Sequence, residues 1–186
     1  MPVSERYLYL ALGRIKQRLF MKVLIAYDTK YGTTKTIAQW VAEGIGVDCD
    51  IKNVSEIESC DYDLIVIGSP IYTDEPLKSV STFLDDNCDE LKEKHVALFI
   101  VYDKLLAQKL KKYEEMLKGH CPLAIVDVGV FGGYFDVNKL TEYDRKTIEE
   151  FFTRLGKQYE ILDSRNKSEV VAFGQRLREK IEAHTF

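Results

Sequence analysis

Residues 23–27, 64–67, 96–101 and 124–130 form nearly continuous apolar runs, rich in Val and Ile and without polar alternation. Strands covered on both faces have this pattern, and it predicts a parallel sheet. A weaker strand fits Asp50-Ile51-Lys52-Asn53-Val54. Between the runs the apolar spacing changes to that of amphipathic helices. Ile37, Val41 and Ile45 recur every four residues, with Ala38 and Trp40 alongside. Leu77, Val80 and Leu84 follow Pro76, which suits a first helical position. Leu106, Leu110, Tyr113 and Leu117 form a third stripe, ended by Gly119. Ile148, Phe152, Leu155, Tyr159 and Leu162 form a fourth. Val170, Phe173, Leu177 and Ile181 form a fifth, with Ser168 as its cap.

The alternation predicts a doubly wound α/β fold with helices on both faces. Right-handed crossovers and five parallel strands predict the order 2-1-3-4-5. The link at 55–61 leaves room for about two helical turns. Ligands of such folds bind beyond the carboxyl ends of the strands at the switch point. That directs attention to the loops after Tyr27, Gly68 and Val101.

The first loop is Asp28-Thr29-Lys30-Tyr31-Gly32-Thr33-Thr34-Lys35. It leads from a strand to a helix N-terminus, where unpaired N–H groups and the helix dipole favour an anion. Gly32 allows close backbone approach and three threonines add hydroxyls, a donor set suited to a terminal phosphate. No G-x-x-x-x-G-K-[ST] occurs, and Gly44-x-Gly46 is followed by Cys49 where a dinucleotide fingerprint needs its third glycine. The second loop is Gly68-Ser69-Pro70-Ile71-Tyr72-Thr73-Asp74-Glu75-Pro76. Ser69 offers a donor at a strand end, and Tyr72 a flat face for a ring.

The length of 186 residues suits one domain, with 46% hydrophobic and 30% charged residues. The net charge is −4; residues 1–20 hold Arg6, Arg14, Lys16 and Arg18 against Glu5, so the rest carries −7. An acidic body argues against nucleic-acid binding, and no apolar run is long enough for stable membrane insertion. Residues 1–20 are expected to be an N-terminal extension and 21–186 the single domain. Tyr7 to Leu12 lacks the flanks of a signal peptide, and the extension reads as an upstream start or an appended helix. Cys49, Cys60, Cys88 and Cys121 contain no C-x-x-C pair, and four inert thiols in a reducing cytosol are expected.

The run Thr29-x-x-Gly32-x-Thr34 resembles the FMN phosphate loop of flavodoxins, and Gly68-Ser69-Pro70-Ile71-Tyr72 is similar to their second flavin loop. The resemblance covers about residues 21–184. It is closest to the flavodoxin-domain group that includes the menaquinone-dependent protoporphyrinogen oxidases. Gly132-Gly133-Tyr134-Phe135-Asp136, Leu140, Tyr143-Asp144-Arg145, Asp163-Ser164-Arg165 and Val170-Val171-Ala172-Phe173 are similar to that group. Asp103 to Lys118 reads instead as a compact helix of mixed charge where those oxidases carry a long basic, membrane-associated stretch.

The resemblance implies a flavodoxin-like fold binding FMN. Thr29, Lys30, Tyr31, Gly32, Thr33 and Thr34 would wrap the phosphate, with Lys30 and Lys35 able to add charge. Ser69, Pro70, Ile71, Tyr72 and Thr73 would line the flavin ring, Tyr102 and Asp103 would form a third loop, and Gly132 and Gly133 would lie farther out. The implied function is a soluble, cytoplasmic electron carrier serving redox partner proteins: a reductase, an iron–sulfur protein or another flavin protein. The alternatives are a flavoenzyme of the protoporphyrinogen oxidase or quinone reductase type, and a scaffold with no cofactor. The resemblance further implies that a peptide of the second loop reorients into positive φ as the flavin is reduced. With no Gly between Gly68 and Gly119, that conformation is expected to be strained relative to a Gly loop, with Asp74 having some tolerance for it and the β-branched Thr73 poorly suited.

Overall fold

The computed structural model describes residues 21–102, 109–154, 156 and 162–184. The extension at 1–20 lies outside them, as do Asp103, Leu106, Leu155 and Tyr159. The elements are β1 (Val23–Tyr27), α1 (Thr33–Ile45), β2 (Cys49–Asn53), β3 (Leu64–Tyr72), β4 (Glu75–Pro76), α2 (Lys78–Asp86), α3 (Cys88–Leu91) and β5 (His95–Tyr102), followed by α4 (Leu110–His120), β6 (Ile125–Gly132), β7 (Tyr134–Phe135), α5 (Glu142–Arg154), β8 (Leu162–Asp163) and α6 (Lys167–His184).

The central sheet has the order β2-β1-β3-β5-β6, with β4 folded back on β3. β1 pairs in parallel with β2 and with β3, Val23 lying opposite Cys49 and Leu64; β5 continues the sheet from β3 and β6 from β5. Counting the parallel strands alone, this is the expected 2-1-3-4-5.

The apolar runs are continuous because successive side chains enter two different cores. Val23, Ile25 and Tyr27 face one layer with Ile37, Val41, Phe131, Phe173 and Leu177, from α1, β6 and α6. Leu24 and Ala26 face the other with Val80, Leu84, Tyr113 and Leu117, from α2 and α4. In the first layer, Gly44 and Gly174 let α1 and α6 meet backbone to backbone. A Cβ on Gly44 would lie 2.1 Å from the Val171 carbonyl oxygen, and one on Gly174 2.3 Å from that of Val41. Gly44 therefore serves helix contact.

Several boundaries differ from the sequence pattern. Pro76 pairs in β4 opposite Ile71, and α2 begins after Leu77; a proline without an N–H suits so short an edge strand. α4 runs through Gly119 to His120. The fourth stripe stops at Arg154, just before Gly156 at φ 64, and Leu162 lies in β8, paired with Phe135. α6 begins at Lys167, so Ser168 is inside it, its hydroxyl bonded to Asn166 Oδ1 at 2.7 Å.

The expectation of four free thiols is also corrected. Cys88 at the start of α3 and Cys121 after α4 form a disulfide, their Cα atoms 5.5 Å apart across 33 residues of sequence. Cys49 and Cys60 remain free. Burial and the neighbouring Asp48 and Asp50 push the Cys49 thiol up to about 11, which disfavours its thiolate at neutral pH.

Candidate functional site

The loop after β1 rests on Asp28. Its Oδ1 accepts from the Thr29 amide at 2.7 Å and from Asn53 Nδ2 at 2.8 Å, and its Oδ2 accepts from the Ser79 hydroxyl. One carboxylate thus ties the loop to the end of β2 and the start of α2. Thr29 Oγ1 accepts from the Gly32 amide at 3.0 Å, folding the loop back on itself. Gly32 stands before α1 at φ 87, a left-handed conformation that glycine adopts without strain. Among the described residues, no side chain caps α1. Thr34, in its first turn, is fully buried, and its Oγ1 has no hydrogen-bond partner among the described residues. A buried hydroxyl without a partner is costly, and at an uncapped helix start it is placed to donate to an anion.

The loop after β3 is a two-residue hairpin turn. Tyr72 pairs with Glu75 and Ile71 with Pro76, and the two central residues, Thr73 and Asp74, have φ values of 50 and 69. Turns with positive φ at both central positions favour Asn-Gly, so Thr-Asp is strained here. The positive φ that the sequence marks as costly is already adopted at both residues. Asp74 is held from α4 and the residue before it: Lys109 Nζ donates at 2.9 Å, Lys112 Nζ at 2.8 Å, and the Tyr113 hydroxyl also donates. These donors hold the Asp74 carboxyl well below the usual carboxylate range. Burial, with the same carboxylate, pushes the Tyr113 phenol upward.

Both loops open onto one cavity of about 450 Å³, within the usual range for small-molecule sites. Thr29, Lys30, Tyr31, Thr33, Thr34, Pro70, Ile71, Tyr72, Thr73, Tyr102 and Gly133 line it. Three of the expected residues sit otherwise. Gly32 shapes the loop without lining the cavity. Ser69 is fully buried, donating to the Pro70 carbonyl at 2.9 Å and accepting from the Leu77 amide at 3.0 Å, so it braces the turn. Gly132 meets the chain at Ser164, where a Cβ would lie 2.0 Å from the carbonyl oxygen, so its smallness serves packing. Asp103 lies outside the described residues.

Sequence reasoning missed the outer wall. After β6 the chain crosses back over the first loop, where the Thr33 hydroxyl donates to the Tyr134 carbonyl at 2.7 Å. Phe135, Leu140 and the inward residues of α5, Thr147, Ile148, Phe151 and Phe152, then close one side of the cavity. The available signal was the Ile148–Phe152 stripe, which reads as core filler because periodicity does not distinguish a core from a cavity. Lys30, expected to add charge for a phosphate, instead pairs with Asp144 of α5 at 2.8 Å and lies 3.9 Å from the centroid of the Tyr72 ring.

A family model described as a flavodoxin domain matches residues 24–160. The chain belongs to the flavodoxin family. A flavodoxin from Maridesulfovibrio salexigens is 31% identical over 90 residues, which cover 42% of this chain and 61% of that protein. The chain thus matches less than two thirds of that relative's length. Among solved structures, a flavodoxin from Streptococcus pneumoniae superposes with a TM-score of 0.57 at 16% identity, covering 88% of this chain and 99% of that one. A WrbA-like flavodoxin protein from Agrobacterium tumefaciens superposes with a TM-score of 0.56 at 17% identity, covering 89% and 99%. At these identities the likeness concerns the fold. Family membership supports FMN as the cofactor. The residues present fit its phosphate: the unpartnered Thr34 hydroxyl and the uncapped start of α1 supply neutral donors in a cavity lined elsewhere mostly by aromatic and aliphatic side chains, with Asp74, Lys109 and Ser164 among them. No helix among the described residues is long and apolar enough to cross a membrane.

Proposed function

We propose that this protein is an FMN-dependent electron carrier. The observation that carries the reading is the fully buried Thr34 hydroxyl, without a partner among the described residues, at the head of an uncapped helix inside the cavity. Thr29, Gly32, Thr33 and Thr34 would hold the phosphate, while Lys30 and Tyr31 of the same loop turn their polar ends to Asp144; Pro70, Ile71, Tyr72, Thr73 and Tyr102 would border the ring. FMN, when bound, supplies the redox chemistry. The chain's own residues would orient it and exclude water: Tyr72 and Tyr102 line the cavity with aromatic surface, and the Asp74 hairpin shapes the rim. The −7 carried outside residues 1–20 suits transient docking to a redox partner protein through charge. A reductase, an iron–sulfur protein or another flavin protein in the cytoplasm is the partner class.

Acid release from the purified protein followed by chromatography should yield one FMN per chain; stoichiometric FAD, or no flavin taken up by the flavin-free chain, would refute the reading. A second reading, a flavoenzyme of the quinone reductase or protoporphyrinogen oxidase type, is favoured by one observation. Ile148, Phe151 and Phe152 turn an apolar helix face toward the cavity, which suits a flat apolar acceptor beside the flavin. Rapid NAD(P)H consumption with a quinone, or conversion of protoporphyrinogen, by the pure protein would select it. Electron transfer only through a partner protein, slowing as salt rises, would select the carrier.

A further inference from the structure

Asp144 is a fully buried carboxylate in the first turn of α5. Its Oδ2 accepts from the Tyr31 hydroxyl and from Lys30 Nζ, the latter at 2.8 Å. Its own amide donates to Thr141 Oγ1 at 3.2 Å, and the Thr141 amide donates to the Tyr31 hydroxyl at 3.3 Å. Tyr31 therefore gives its proton to α5 and accepts one from the residue before it. Lys30, 37% exposed, carries the network further, because the same ammonium lies over the Tyr72 ring at 3.9 Å.

Three separate segments meet in this cluster: the loop after β1, the hairpin after β3, and the start of α5. A buried carboxylate is tolerated only when paired, and removing one partner leaves an uncompensated group. The cluster consequently has one favourable arrangement. In it the Lys30 charge is spent on Asp144 and Tyr72, and α5 is held by a polar anchor while its residues Ile148 and Phe151, only half-buried, look onto the cavity.

We propose that Asp144 is a positioning residue of the flavin site: through Lys30 it sets the Tyr72 ring, and through Tyr31 it fixes α5 beside the ring end of the cavity. This rests on the flavin reading above. It assigns Asp144 an effect on the ring and none on the phosphate.

The test compares FMN with riboflavin, which lacks the phosphate, by isothermal titration on the flavin-free chain. Asp144→Asn and Lys30→Met should each weaken both ligands by the same factor, about tenfold, and the double variant should lie within about twofold of the weaker single, as for residues acting through one contact. Affinities within about twofold of wild type, loss for FMN alone, or additive losses would each overturn the assignment. Should Asp144→Asn not fold, Lys30→Met, at a half-exposed side chain, carries the same ligand comparison. Wild-type protein that binds neither ligand would refute the flavin reading itself. The latch is then still tested by amide hydrogen exchange of the flavin-free chain: faster exchange across 142–154 in Lys30→Met supports it, and unchanged exchange overturns it.

Discussion

Thr34→Val should stabilise the flavin-free protein and weaken its hold on FMN. The Thr34 hydroxyl is fully buried and has no partner among the described residues. Such a group costs about 1–3 kcal/mol relative to an apolar replacement of the same shape. Valine keeps the branched Cβ, and its helix propensity is close to that of threonine, so no cavity opens and α1 is not weakened. A gain of about 1 kcal/mol raises the melting temperature by about 2–4 °C in a chain of this size. With FMN the sign reverses. A hydrogen bond to a charged group contributes about 1.5–3 kcal/mol, so FMN affinity should fall by roughly one to two orders of magnitude. Riboflavin has no phosphate and should bind within about twofold of wild type. Calorimetric melts of the flavin-free proteins and titrations with both ligands give the three quantities. A lower melting temperature, or equal loss for FMN and riboflavin, would show that Thr34 is a packing residue and that the phosphate lies elsewhere.

Thr73→Gly should raise the melting temperature by about 1–4 °C, because relief of about 1–2 kcal/mol of left-handed strain exceeds the roughly 0.5–1 kcal/mol that glycine costs in the unfolded chain; a decrease in thermal melts would contradict the strain assigned to this turn. Asp74 titrates below its unfolded value, so its contribution is present above the usual carboxylate range near pH 4 and is lost as pH falls through its folded value. Asp74→Asn should accordingly be less stable than wild type at neutral pH and converge with it in strong acid, and melting curves that stay parallel down to pH 2 would count against the clasp. Opening the Cys88–Cys121 link, which spans 33 residues, should cost up to about 3–4 kcal/mol in the chain-entropy account; four titratable thiols in the unfolded, unreduced protein would show that the link does not form.

The sheet was legible because its evidence is local. Each central strand is a short apolar run, and the run itself reports burial on both faces, as Val23 to Tyr27 shows by feeding two cores in alternation. The loops after Tyr27 and Gly68 were legible for a related reason: the fold places every such loop at the same end of the sheet. Helix ends were less so. The stripe from Ile148 to Leu162 crosses Gly156, and apolar spacing alone does not register the left-handed conformation of that residue, beyond the end of α5 at Arg154. The cysteines were misread because Cys88 and Cys121 meet only when α3 and the end of α4 are brought side by side.

The outer wall of the site was illegible for a deeper reason, which its charges make plain. In sequence, Lys30 stands in the loop that resembles a phosphate loop and reads as a charge available to a ligand, while Asp74 stands in the second loop and is read for its backbone conformation alone. In the structure neither is free: Lys30 is matched by a carboxylate 114 positions later, at Asp144, and Asp74 by Lys109 and Lys112. The site thus holds these charges in pairs that serve its own geometry, and under the flavin reading the unpartnered Thr34 hydroxyl and the amides at the head of α1 would be the donors a phosphate meets. If the protein is the proposed carrier, the charge for partner docking would then come from other groups than those that hold the cofactor. A net-acidic chain can in this way hold a phosphate under the proposed reading: hydrogen-bond donors at a helix start do not need a basic neighbourhood, because the dipole and the oriented N–H groups supply the local field.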